Sequence, residues 1–229
     1  MQKISKIQHL TADGSPTLYM EQFDEYYHSK HGAIQEALHV YLKMGFTHWL
    51  EQNPKRMDCR VFEMGFGTGL NAFLTAEAAS NSKIEVLFDS IEAYPLAEEE
   101  VKEVGYSAYF KGERKRLFEQ IIDCPWERET QILSHFNLIK QHISLEDYSF
   151  QSSYDLVYYD AFGARTQPEL WEDDCFPAIV ENLNPGGVFV TYSAKGSVRR
   201  TLERLGLSVS LVPGPPGKRE MIQAVRPLL

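Results

Sequence analysis

The feature that most constrains this chain is the stretch Glu63-Met64-Gly65-Phe66-Gly67-Thr68-Gly69-Leu70-Asn71. It follows a short apolar run, Cys59 to Met64, and leads into an alanine-rich, helix-like segment, Leu70 to Ser80. Glycines at alternate positions let the backbone turn sharply and let a ligand approach the main chain with no Cβ in the way. A strand, a glycine turn and a helix in this order predict a doubly wound α/β sheet, with the helix N-terminus offering free amide donors. Spacing narrows the ligand. Leu70 stands where the dinucleotide fingerprint needs a small residue, which disfavours a nicotinamide dehydrogenase, and no Gly-Lys-Ser/Thr follows to make a P-loop. A ligand with a small polar head and no pyrophosphate fits, and the methionine part of S-adenosyl-L-methionine is such a head. Glu63, Gly65, Phe66, Gly67, Thr68, Gly69 and Asn71 are therefore the expected cofactor residues of this segment.

The rest of the chain repeats the strand–helix rhythm. Strands are predicted at Cys59–Met64, Ile84–Glu92, Phe136–Gln141, Tyr154–Tyr159, Val188–Tyr192, Leu207–Val212 and Met221–Val225. Helices are predicted at Gly32–Leu50, Leu70–Ser80, Pro95–Val104, Glu113–Asp123, Leu170–Leu183 and Lys195–Leu205. Asn184-Pro185-Gly186-Gly187 reads as a turn cluster. This alternation predicts a mostly parallel, seven-stranded sheet covered on both faces. Residues 1–229 are read as one domain, with residues 1–55 an N-terminal helical extension packed on it.

Composition excludes other classes. No run of 18 apolar residues marks a membrane span, and MQKISKIQHL lacks the apolar core and cleavage site of a signal peptide. Cys59, Cys124 and Cys175 are far apart and form no zinc spacing, which fits a reduced, cytoplasmic setting and no metal. The net charge is −9. It is unevenly spread: from Lys195 onward the balance is +5, against −14 for the remainder. A basic C-terminal region on an acidic body is a candidate anion-binding face, though solvated helix and loop charge is the preferred reading of most of these residues.

In a parallel sheet the ligand sits outside the carboxyl ends of the strands. Glu92 ends the second strand and is placed to accept hydrogen bonds from both hydroxyls of a ribose, whichever nucleoside cofactor carries it. His142 follows the third strand, where an acid commonly contacts the adenine. Asp160 follows Tyr154–Tyr159 and falls at the strand tip beside a methyl donor, whereas Asp155 begins that strand and belongs to the opposite, structural edge.

At this point the chain resembles a known family. Asp160 to Trp171 (DAFGARTQPELW), EMGFGTGLN, SAKGSVRRTLERLG with the later GKREM, and the early EQFDEYYHSKHGAIQEALHVY are similar to the methyltransferase domain of the MnmC family. The resemblance spans about residues 16 to 225. It implies methyl transfer from S-adenosyl-L-methionine to the amine of 5-aminomethyl-(2-thio)uridine at the tRNA wobble position. A stand-alone form is expected, with an FAD-dependent oxidase as a separate partner. The chain departs from the family at His142 and at Gly163-Ala164-Arg165. Asp160 is the expected catalytic carboxylate, stabilising charge that develops on the amine, with Phe162 placed to stack on the base. Tyr27 and Glu36 are read as covering the cofactor, Glu36 on the substrate side. Lys218 and Arg219 are read as closing the site or meeting phosphate, and Arg199 and Arg200 as part of the tRNA face. Two other readings share the pattern: a spermidine synthase-like aminopropyltransferase, which also sets an Asp after such a strand, and a non-catalytic scaffold of the same fold.

Overall fold

The computed structural model describes residues 6–21 and 24–228; residues 1–5, part of the stretch read for a leader, lie outside the described residues. The chain opens with a three-stranded antiparallel sheet of β1 (Lys6–Leu10), β2 (Pro16–Met20) and β3 (Glu25–Tyr26). The extension is therefore not purely helical, as the sequence reading had it. The overlooked signal is Ala12-Asp13-Gly14-Ser15, a turn between two five-residue runs. Asp13 closes it by accepting from the Thr11 hydroxyl at 2.6 Å and the Ser15 amide at 3.0 Å.

The helix expected over Gly32–Leu50 is present as α1 (Ala33–Ala37), a π-helical segment (Leu38–Thr47) and α2 (His48–Gln52) in unbroken succession. The wide π turns let Gly45 lie flat on the sheet. A Cβ there would meet the Tyr158 ring at 3.0 Å and Val190 at 3.2 Å. Tyr41, Phe46 and Trp49 are buried from this rod.

The main sheet begins with β4 (Asp58–Met64), α3 (Leu70–Ser82), β5 (Glu85–Ile91), α4 (Glu98–Val104), α5 (Tyr106–Tyr109) and α6 (Gly112–Asp123). It continues with β6 (Thr130–Leu133), β7 (Phe136–Gln141), β8 (Tyr154–Tyr159), α7 (Pro177–Glu181), β9 (Leu183–Thr191), α8 (Gly196–Arg204), β10 (Ser208–Pro213) and β11 (Glu220–Val225). The order across the sheet is β10-β11-β9-β8-β4-β5-β7-β6. β7, β5, β4, β8 and β9 run parallel, while β10, β11 and β6 are antiparallel to their neighbours. All seven expected strands are present, and β6 makes an eighth. It is joined to β7 by a tight turn at Ser134-His135, which carries no Asn-Gly or Asp-Gly hairpin signal.

Side chains of one strand alternate between the sheet's two faces. Val61, Leu156 and Tyr158 enter the core beneath α3 and the π segment; Phe62, Val157 and Tyr159 enter the core that holds Phe176 and Val198. The helix expected over Leu170–Leu183 is broken into 3₁₀ turns at Pro168–Trp171 and Asp173–Cys175 followed by α7. The Trp171 indole is drawn inward to donate to the Phe162 carbonyl at 2.7 Å, and Pro177 starts a new helix. β9 begins earlier than expected, at Leu183, and carries the Asn184–Gly187 cluster inside the strand with a shift of register opposite β8.

The strand order reverses between β4 and β8. Met64, Ile91 and Tyr159 thus end side by side, and the loops that follow them meet at one edge. Asp155 sits at the other end, 3% exposed in its side chain, bound by Arg56 at 3.2 Å, the Arg60 amide at 2.9 Å and Asn184 at 2.8 Å. Its role is to fasten strand ends.

Candidate active site

Above the carboxyl ends of β4, β5 and β8 lies a cavity of about 500 Å³. The glycine loop forms its floor. Gly65 has φ +95°, and a Cβ on it would lie 2.5 Å from the Asp160 carbonyl, so only glycine lets the β4 and β8 loops touch. Gly67 has φ +51° and faces open space; a Cβ on it would meet nothing nearer than Tyr27 at 3.9 Å. Phe66, Thr68 and Asn71 also line the cavity. Glu63 lies beneath the loop, fully buried, accepting from Ser90 at 2.6 Å. Its other carboxyl oxygen has no hydrogen-bond partner among the described residues, and burial holds its proton affinity well above the usual carboxylate range. Gly69 packs against Phe66 and Ile122 behind the wall.

Glu92 stands on the wall and bridges two loops. It accepts from the Gly67 amide at 3.0 Å and the Tyr94 amide at 2.9 Å, one on each oxygen. A carboxylate has about four lone-pair positions, so both oxygens keep accepting capacity toward the cavity. His142 is exposed and outside the cavity, its amide tied to Glu127 at 2.7 Å. The residues after β7 that reach the cavity are Ile143, Ser144, Leu145 and Glu146.

Asp160 projects from the tip of β8. Asn71 donates to it at 2.8 Å. The buried Tyr41 hydroxyl faces the same carboxylate, close enough to help hold its charge but without a well-formed hydrogen bond. Burial raises the Asp160 carboxyl from 3.8 to about 6, against the lowering effect of Tyr41, Asn71 and Lys218; Glu36 adds to the rise. His28, also on the wall, is pushed by burial from 6.5 to about 4 and is neutral at pH 7. Tyr27 and Phe162 meet edge to face, ring centroids 4.9 Å apart, both on the cavity lining.

Glu36 and Lys218 face each other inside the cavity at 2.6 Å, with the lysine nitrogen 3.7 Å from the centroid of the Tyr192 ring. Arg219 is 92% exposed in its side chain and borders an adjoining groove with Arg165. Arg199 and Arg200 lie on α8, outside both; Arg199 is paired with Glu203 at 3.5 Å. The sequence reading missed Tyr41 and Tyr192. Tyr192 follows β9 as Asp160 follows β8, so the same strand-tip rule points to it.

The cavity wall carries Glu25, Glu36, Glu92, Glu146, Asp160 and Glu169 against Lys30 and Lys218, a surplus of carboxylates that suits a cationic ligand.

Comparison with known proteins agrees. Residues 114–227 match the family model described as S-adenosyl-L-methionine-dependent methyltransferase. The chain is 31% identical over 224 residues to the tRNA 5-methylaminomethyl-2-thiouridine biosynthesis bifunctional protein MnmC of Marinomonas sp., covering 91% of this chain and 32% of that protein. The same-named protein of Leptospira interrogans is 29% identical over 226 residues, covering 93% and 34%. The chain thus spans about a third of the length of the curated relatives it matches. Among solved structures, MNMC2 from Aquifex aeolicus superposes with a TM-score of 0.77 at 26% identity, covering 100% of this chain and 72% of that one. Spermidine synthase from Thermotoga maritima, at 11% identity and a TM-score of 0.54, shares the fold alone. With the glycine loop, Glu92 and Asp160 grouped on one sheet edge, the chain matches the S-adenosyl-L-methionine-dependent methyltransferase family over residues 114–227 and has MnmC proteins among its relatives.

Proposed function

We propose that this enzyme methylates the primary amine of 5-aminomethyl-(2-thio)uridine at the wobble position of tRNA. The observation that carries the reading is Asp160: one carboxylate at the strand tip, held by Asn71 and faced by Tyr41, in an acid-rich cavity with aromatic rings such as Phe162 on its wall. An amine needs the first and a flat base the second. The names of the MnmC relatives support tRNA as the carrier of that base.

The residues fit S-adenosyl-L-methionine. Gly67 leaves space where any other residue would place a side chain, Glu92 has lone pairs free for ribose hydroxyls, and the carboxylate surplus matches a net positive ligand. When bound, this group would supply a methyl on a positively charged sulfur for transfer to the amine lone pair, with a neutral thioether as the leaving group. Asp160 orients the amine, stabilises the charge growing on nitrogen and accepts the proton the product ammonium sheds. Phe162 holds the base by stacking, with the Tyr27 ring set edge to face against it. Arg165 and Arg219, exposed beside the cavity, are placed for the neighbouring phosphates, and a separate FAD-dependent oxidase is the kind of partner that would supply the amine.

The test is incubation with isotope-labelled S-adenosyl-L-methionine and tRNA carrying the unmethylated aminomethyl base, then nucleoside mass spectrometry. One labelled methyl on that base is the expected result. No labelled nucleoside, or an aminopropyl group taken from the decarboxylated donor, would refute the reading.

A further inference from the structure

The acceptor site poses a problem of charge. Glu36 and Asp160 face one cavity, and two like carboxylates raise the proton affinity of whatever lies between them. An amine held there tends to remain an ammonium, which has no lone pair to attack with. The structure puts the Lys218 cation into this field. The Lys218 ammonium meets Glu36 Oε1 at 2.6 Å and stands 3.7 Å over the Tyr192 ring, whose hydroxyl is anchored to the Ala161 carbonyl at 2.8 Å. Glu36 is itself fixed, its other oxygen accepting from the Ser29 amide at 2.7 Å.

The loop behind the lysine is equally constrained. Pro213 is tied through its carbonyl to His39 at 2.7 Å, the Gly214 amide to the Arg219 carbonyl at 3.1 Å, and the Lys218 amide to the Pro215 carbonyl at 2.9 Å. Gly217, at φ +86°, packs so tightly on His31 that a Cβ would overlap the ring. Such a loop aims the side chain inward and holds it, unlike an exposed lysine waiting for phosphate. Lys218 contacts Glu36 and Tyr192 and acts on Asp160; the other titratable groups lining the same cavity or the adjoining groove include Glu25, Lys30, His31, Tyr41, Arg165, Arg219 and Glu220.

We propose that Lys218 is a positioning residue of the acceptor site: its ammonium, pinned between the Glu36 carboxylate and the Tyr192 ring, offsets the two carboxylates and keeps the acceptor amine neutral beside Asp160. The proposal rests on the amine-methylating reading above. It is specific about charge, since the lysine works by being a cation in a fixed place and forms no bond with substrate.

Two readouts test it. The first needs no substrate: the Asp160 carboxyl is titrated by carbon-13 NMR of aspartate-labelled protein, with D160N to assign the signal. The second is the pH profile of kcat at saturating aminomethyl-bearing tRNA, which reports the groups of the enzyme–substrate complex. K218M removes the charge and keeps the stem. It should move both the Asp160 titration and the amine-dependent limb upward by about one pH unit, the scale of one charge at close range. K218R should leave both within a few tenths of a unit, and E36Q should move both downward. The K218M shift should persist in an H31Q background, which removes the neighbouring imidazole. The proposal is overturned if K218M leaves the Asp160 titration in place, or lowers the rate equally at every pH. If wild-type protein fails to methylate the tRNA, the functional reading falls, and the NMR readout still decides whether Lys218 and Glu36 set the field at Asp160.

Discussion

Glu92 is the residue whose sequence reading can be followed most closely into its atoms. Its place at the end of a strand predicts a ribose acceptor. In the structure it pins the Gly67 amide, so it shapes the floor on which a cofactor would lie. Glu92→Ala should weaken S-adenosyl-L-methionine binding by roughly 1.5–3 kcal/mol, the range for hydrogen bonds to a charged group. Gly67→Val should abolish binding by filling the ligand's path. Calorimetry checks both, and unchanged affinity in Glu92→Ala would remove it from the site. Strand-tip residues were legible because the rule for parallel sheets depends only on where a strand ends. His142 shows the limit of that rule: one to four residues further on, the chain from Ile143 to Glu146 reaches the cavity while the imidazole stays outside. Loop geometry after a strand is set by contacts distant in sequence, here Glu127.

At the scale of elements, the long N-terminal helix was visible as an apolar periodicity and its winding was not. A 3.6-residue template places Tyr41 with the core residues Phe46 and Trp49. The π segment keeps it buried but turns its hydroxyl toward Asp160. What selects the π winding locally includes the close seat of Gly45 on β8 and β9, a tertiary contact that no local pattern announces. Gly45→Ala should cost about 1–3 kcal/mol of stability, as overpacking a close contact does. Denaturant unfolding measures this, and a stability unchanged within about 0.5 kcal/mol would mean that the rod has room to shift. The broken helix at residues 168–181 was missed for a related reason. Leu170 to Leu183 contains good helix formers, but the buried Trp171 and its bond to Phe162 override local preference. β6 escaped notice because its turn carries no glycine.

Across the whole molecule, the acidic total and the basic C-terminal region describe two surfaces. The −9 net charge keeps non-specific attraction to nucleic acid weak. The structure then divides the basic residues: Lys218 turns inward, Arg199 pairs with Glu203, and Arg219 stands almost fully exposed beside the cavity. tRNA binding should therefore weaken with salt along a shallow slope, reflecting few phosphate contacts. Arg219→Ala should lower binding more than charge removal at Arg199. A salt-independent affinity from filter binding or fluorescence anisotropy, or a larger loss at Arg199, would contradict this division.

In the proposed reaction Asp160 serves the amine during transfer and does not serve the cofactor. Asp160→Asn keeps the shape and the contact with Asn71 while removing the charge. The direct measurement is single-turnover methylation of aminomethyl-bearing tRNA by this variant, with S-adenosyl-L-methionine affinity determined on the same protein. The expected rate is lower by about 10²–10³, as for loss of one preorganised electrostatic group, with cofactor affinity nearly unchanged. A variant that turns over at the wild-type rate, or one whose loss lies entirely in cofactor binding, would contradict it.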